Sequence, residues 1–94
     1  MMVVIDFHIA LDAEIEKAIS IIHEVVATSR FAYLKKPFRV LSKEVVTAER
    51  LTILLKAKVY VIDCRFEKQF ETDIVNRVLK LFKKHEIKRP TLNG

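Results

Sequence analysis

The chain has 94 residues, 51% of them hydrophobic, with one glycine and two prolines; this is one domain with enough apolar residues for a core, built from regular elements and short connections rather than disordered segments. Its single cysteine excludes an internal disulfide, and MMVVIDFHIAL carries no basic leader, so a reducing compartment and no secretory route are expected. The net charge is +5, and the excess gathers at the end, where Arg77, Lys80, Lys83, Lys84, Lys88 and Arg89 oppose only Glu86 after Asp73; such a bias attracts anionic partners or complements the carbonyl end of a helix.

Residues 3–11 alternate with period two, with Val3, Ile5, Phe7, Ile9 and Leu11 on one side, and predict a half-buried strand. Asp12 is the expected N-cap of the helix that follows, with Glu14 and Glu16 in its first turn. Over residues 13–28, Ile15, Ala18, Ile19, Ile22, Val25 and Val26 make one apolar stripe at helical spacing. SRFAYLKKP reads as a loop, since Pro37 stops a helix from running through it.

A second strand is expected over 38–46 and a third over 51–62, and the short TAER connection makes them a hairpin. In the third, Leu51, Ile53, Leu55, Ala57, Val59 and Val61 share one face. Residues 66–85 form a second amphipathic helix on Phe70, Ile74, Val78, Leu81 and Phe82, flanked by Phe66 and Leu79. From Ile87 onward a last extended segment or a disordered tail can follow. The order β-α-β-β-α with an optional β is α+β, and two helices on one face of an antiparallel sheet is the ferredoxin-like arrangement. No run reaches the ~20 apolar residues needed to cross a bilayer, so the chain itself is not expected to insert in a membrane.

Catalytic chemistry finds little support. His23-Glu24 begins a zinc-protease HExxH, but Ala27 stands where the second histidine belongs, and His85-Glu86 has no second histidine either. The three histidines and Cys64 lie in separate elements without ligand spacing, so surface histidines and no metal are expected. Asp6, His8 and Cys64 could be drawn as a nucleophilic triad, but no glycine turn offers an oxyanion hole. Asp63 is instead expected to cap the approach to the second helix, and Cys64 to pack as a small apolar residue. Without a glycine-rich loop there is no phosphate cradle and no cofactor is implied. An RNA-recognition fold would carry glycines and stacked aromatics on its third strand; LTILLKAKVYVID has Tyr60 alone, which argues against nucleic acid.

The second sheet face is the oddity. It mixes Val4, Leu41, Val45, Leu54, Tyr60 and Ile62 with Asp6, His8, Arg39, Lys43, Lys56 and Lys58, more apolar than a freely solvated face. Leu41, Leu54, Tyr60 and Ile62 are therefore candidate subunit-contact residues.

In order and spacing, the strand VVIDFHIAL, the helix LDAEIEKAISIIHEVV, AYLKKP ahead of a strand, LTILLKAKVYVID, and FEKQFETDIVNRVLKLFKKHEIKRP with its Ile-x-x-Pro resemble the C-terminal cytosolic domain of small-conductance mechanosensitive channels. The resemblance covers about nine-tenths of the chain. It implies a heptameric cage below a transmembrane pore on the cytoplasmic side of the membrane, with side openings for ions and solutes during osmotic release. Lys56, Lys58, Arg39 and Lys43 then become candidate ion-facing residues. Two departures stand out: Glu86 occupies a position where the family often has glycine, and RPTLNG stops short of the segment that closes the cage in that family, so the closing barrel is expected to be missing, which counts against this chain forming a heptamer by itself, and the pore helices are expected in the rest of the parent channel. The alternative is a free-standing ferredoxin-like regulatory or nucleic-acid-binding domain; hydrophobic spans encoded upstream of Met1 would favour the channel.

Overall fold

The structure, a computed structural model, describes residues 2–33, 35–36, 38–47 and 50–89. The first strand, β1, is Met2–Ile9, and its alternation is the one expected: Val3, Ile5, Phe7 and Ile9 are buried while Met2, Val4 and Asp6 are exposed. It ends two residues early. Leu11 is exposed, because a turn closed by the Ala13 N–H donating to the Ala10 carbonyl (3.0 Å) carries the chain off the sheet. That turn also displaces the helix start, and helix α1 is Ile15–Ala27 with Glu14, not Asp12, at the N-cap position. No side chain caps it. The Asp12 carboxylate accepts a hydrogen bond from Lys88 Nζ at 2.8 Å instead.

Helix α1 buries Ala18, Ile21, Ile22, Val25 and Val26, with Ile15 and Ile19 half-buried beside them. The stripe is rotated toward Ile21, a position outside the expected set. At its C-terminus Thr28 Oγ1 donates to the Glu24 carbonyl (3.0 Å), and the Arg77 guanidinium donates to the Val25 carbonyl (3.4 Å) and to Thr28 Oγ1. The Glu24 carbonyl also accepts the Thr28 N–H, whereas the Val25 carbonyl, left without a backbone donor among the described residues, is met by a cation suited to the negative helix end.

Strands β2 (Arg39–Thr47) and β3 (Arg50–Tyr60) form the expected antiparallel hairpin. Strand β3 also pairs antiparallel with β1, so the sheet order is β1-β3-β2 with β3 in the centre. β3 closes at Tyr60. Beyond it the chain zips to the loop after α1, with the Tyr33 N–H donating to the Tyr60 carbonyl (2.7 Å) and the Ile62 N–H to the Phe31 carbonyl (2.9 Å). Ile62 therefore lies past the strand rather than on it.

Asp63 behaves as expected, its Oδ1 accepting the Arg65 N–H at 2.9 Å to start a 3-10 turn, Cys64–Phe66. Cys64 does not: it is exposed, because the turn points its side chain away from the core. Helix α2 (Glu67–Lys84) follows, with Phe70, Ile74, Val78 and Phe82 buried at strict four-residue spacing. Burial of such side chains contributes roughly 1.5–3 kcal/mol each.

The end of α2 is a Schellman motif. His85 is the C-cap, the Ile87 N–H donates back to the Phe82 carbonyl (2.9 Å), and the Glu86 N–H donates to the Lys83 carbonyl (3.3 Å). Ile87 and Phe82 are both buried, the apolar contact that accompanies the motif. Glu86 carries the left-handed conformation the motif needs, at φ 56°.

The buried stripes of both helices join the same sheet face, formed by Val3, Ile5, Phe7 and Ile9 of β1 and Ile53, Leu55, Ala57 and Val59 of β3, in one core. Phe7 and Phe82 meet edge to face across it at 6.1 Å. The fold is thus a small α+β domain with a three-stranded antiparallel sheet. Residues 87–89 form no strand, although the Lys88 carbonyl accepts the Ala10 N–H at 2.8 Å; the rest of the segment expected to be extended lies outside the described residues. Among the described residues no helix is long and apolar enough to cross a membrane.

Candidate functional site

Strand registers decide which side chains share the face turned away from the helices. Directly paired residues project on the same side, so the pairs Val4–Lys58, Asp6–Lys56 and His8–Leu54 place those six together. Arg39–Lys58, Leu41–Lys56, Lys43–Leu54 and Val45–Thr52 add the β2 contribution. The expected ion-facing residues Arg39, Lys43, Lys56 and Lys58 do gather on this face, as do Leu41, Leu54 and Tyr60 of the expected contact set. Ile62 follows the last paired residue of β3 and lies beside Tyr60, the two lining one shallow pocket with Tyr33 and Lys36. It stands beyond the end of β3, near Phe31 and Phe66.

The face has two halves. Toward the start of β1, Met2, Val4 and Leu41 are each nearly half exposed among the cations. Arg39 and Lys58 stand directly opposite each other, a like-charge pairing that costs stability in a sheet. Asp6 is the one acid on the face among the described side chains, and its carboxylate lies 3.5 Å from Lys56 Nζ. Lys56 is therefore partly neutralised, whereas Arg39, Lys43 and Lys58 have no ion-pair partner among the described residues.

Toward the other end the face is closed. Leu54 is only 8% exposed and Thr52 is buried as well. Leu54 thus packs within the chain and presents no side chain to a neighbour. Beside it, His8 Nδ1 and Thr52 Oγ1 are buried without a hydrogen-bond partner among the described residues. An unsatisfied buried polar atom costs on the order of 1–3 kcal/mol. Alternation could not separate these halves, because it assigns a face and not what lies over it.

Other side chains with chemical potential are dispersed. His23 is exposed and packs its ring against Phe38 at 4.7 Å, and His85 is exposed at the end of α2. Among the described residues no three His, Cys, Asp or Glu side chains come together to hold a metal ion. Asp63 is chelated by Arg65, with Nη2 2.9 Å from Oδ2, and the hydrogen bonds from that guanidinium and from the Arg65 N–H hold its carboxyl down to about 2. Lys88 similarly lowers Asp12 through its hydrogen bond, and is itself raised.

A feature that periodicity missed is the ring stack at the end of the sheet. Phe31 and Phe66 lie 5.4 Å apart and nearly parallel. Arg30 leans over the first ring and Arg65 over the second, at 5.6 and 5.8 Å. The signal in the sequence is the dipeptide Arg-Phe occurring twice, at 30–31 and 65–66. No known protein family matches the chain, and no curated protein matches it either.

Proposed function

We propose that this chain is a non-enzymatic, self-assembling domain of ferredoxin-like topology that forms part of the cytosolic cage of a mechanosensitive channel. The carrying observation is the open sheet face, where exposed Met2, Val4 and Leu41 are interleaved with Arg39, Lys43 and Lys58. Apolar residues there suit a subunit contact, and uncompensated cations suit a wall that attracts anions toward an opening. A like-charge pair held across two strands reads as a functional cost, since packing alone gives no reason for it.

Two further features support the reading. The order β1-β3-β2 with antiparallel neighbours is the ferredoxin-like order lacking its outer strand, and the Ala10–Lys88 hydrogen bond starts a pairing on the free edge of β1 where that strand would run. The left-handed residue after α2 also falls at Glu86, where the resembled family often carries glycine.

The test uses the full-length channel in excised patches under an ionic gradient. Reversing Arg39 and Lys58 to Glu together is expected to move the reversal potential toward greater cation preference while leaving tension gating intact. An unchanged reversal potential would overturn the ion-facing role.

A further inference from the structure

At the pole of the sheet where β3 ends, two hollows lie side by side. The first, of about 620 Å³, is lined by Arg30, Phe31, Ile62, Phe66 and Gln69. The second, of about 220 Å³, is lined by Tyr33, Lys36, Tyr60, Val61 and Ile62. Ile62, 59% exposed, belongs to both. The backbone that joins them is extended and paired: the Ile62 N–H donates to the Phe31 carbonyl and the Tyr33 N–H to the Tyr60 carbonyl. Two residues of extended chain, roughly 6.6 Å, separate one hollow from the other.

The two hollows have the same makeup. In the first the Arg30 guanidinium lies 5.6 Å over the Phe31 ring, and in the second Lys36 Nζ lies 4.8 Å over the Tyr60 ring. Neither cation has an ion-pair partner among the described residues, and no acid lines either hollow. Asp63, which follows Ile62, is held by Arg65. Leu34 and Pro37, which flank this stretch in sequence and lie outside the described residues, carry no charge and leave the balance as it is. The floor is apolar and the rim cationic.

That surface selects among ligands. Both hollows open to solvent, so they cannot enclose most of a small molecule as ligand pockets do. A row of stacked bases needs open ring faces. Here Phe31 has Phe66 against it and Arg30 over it, and Tyr60 has Lys36 over it, which leaves Tyr33 as the one ring of the hollows without such a partner among the described residues. Apolar side chains need only the ring edges and Ile62, and carboxylates match the two cations.

We propose that the two hollows form a docking site for an acidic, extended segment of another protein, with apolar side chains two residues apart seated on either side of Ile62 and flanking carboxylates facing Arg30 and Lys36. Alternate side chains of an extended segment stand on one side about 6.6 Å apart, which is the spacing of the hollows. A second copy of this chain, with its net charge of +5, is the weaker match for a cationic rim. The site requires no self-assembly and so stands apart from the channel reading, and it claims Tyr60 and Ile62, expected above at a subunit contact, for a different partner.

Fluorescence anisotropy of labelled peptides against the full chain at physiological salt tests the site. The peptide EELTFEE is expected to bind, and KKLTFKK and EEGTGEE are not. R30E and K36E should each weaken EELTFEE binding by about fivefold, since an exposed ion pair contributes modestly and its reversal adds repulsion. I62E should abolish binding, with circular dichroism and melting temperature showing that these exposed substitutions leave the fold intact. If EEGTGEE binds as well as EELTFEE, or if R30E and K36E leave the affinity unchanged, the site is overturned. Tighter binding of a short oligothymidylate than of EELTFEE, lost in I62E, assigns the hollows to nucleic acid and overturns it as well. Absence of EELTFEE binding at millimolar concentration also overturns it, and self-association that I62E then abolishes in sedimentation returns Ile62 to a subunit contact.

Discussion

Glu86 is a residue in a glycine's place. At φ 56° it closes the Schellman motif that turns the chain from α2 into Ile87, and a side chain in this region costs about 1–2 kcal/mol through the clash of its Cβ with the following carbonyl. Replacing Glu86 with Gly removes that clash but frees the unfolded chain, which offsets about 0.5–1 kcal/mol. The carboxylate itself contributes little, since it is exposed, has no ion-pair partner among the described residues, and sits at the helix end where a negative charge is unfavourable. The net expectation is a gain of about 0.5–1 kcal/mol, or roughly 2–8 °C in melting temperature for a domain of this size. Thermal and urea unfolding of wild type, E86G, E86N and E86A measure it. The alanine variant is the control: it removes the charge and keeps the Cβ, so it should stay near wild type, with asparagine between. If E86A is stabilised as much as E86G, the effect is electrostatic and the argument from backbone geometry is refuted.

Truncating Phe70, fully buried in the middle of the α2 stripe, to Ala should lower unfolding free energy by about 3–5 kcal/mol through lost burial and the cavity left behind; a loss under about 1 kcal/mol in urea titration would contradict the packing described. R77A should cost about 1–2 kcal/mol, because it strips a charged donor from the end of α1, and R77K should recover only part, since a compact ammonium on a flexible stem lacks the rigid planar fork whose separate nitrogens reach the carbonyl and the hydroxyl. The carboxyl of Asp63 should titrate near 2 by carbon NMR. Because this pKa is depressed on folding, whatever the pair contributes is present above the ordinary value of 3.8 and is lost as pH falls toward 2. R65A should return the midpoint toward 3.8, and an unmoved midpoint would exclude Arg65 as the cause.

Local pattern was a good guide wherever one face of an element meets one core. The strict alternation of residues 3–9 and the four-residue spacing of Phe70, Ile74, Val78 and Phe82 locate β1, α2 and their buried sides without coordinates, because strand and helix periods are intrinsic to the backbone. The hairpin was legible for the same reason, from two strands joined by too short a link to do anything else. Element ends were not. Leu11 continues the alternation yet is exposed, and Asp12 is a good cap residue by type yet pairs with Lys88, because a backbone turn and a residue 76 positions away settled the matter. By itself, then, the sequence determined the α+β class, the two faces of the central strand and the absence of a glycine-rich cradle. Only the tertiary structure decided that β3 lies between β1 and β2, that Leu54 is shut away while Leu41 stays open, that Cys64 faces outward, and that two distant Arg-Phe pairs stack at one pole. Those are outcomes of register and long-range packing, and a period-two pattern carries neither.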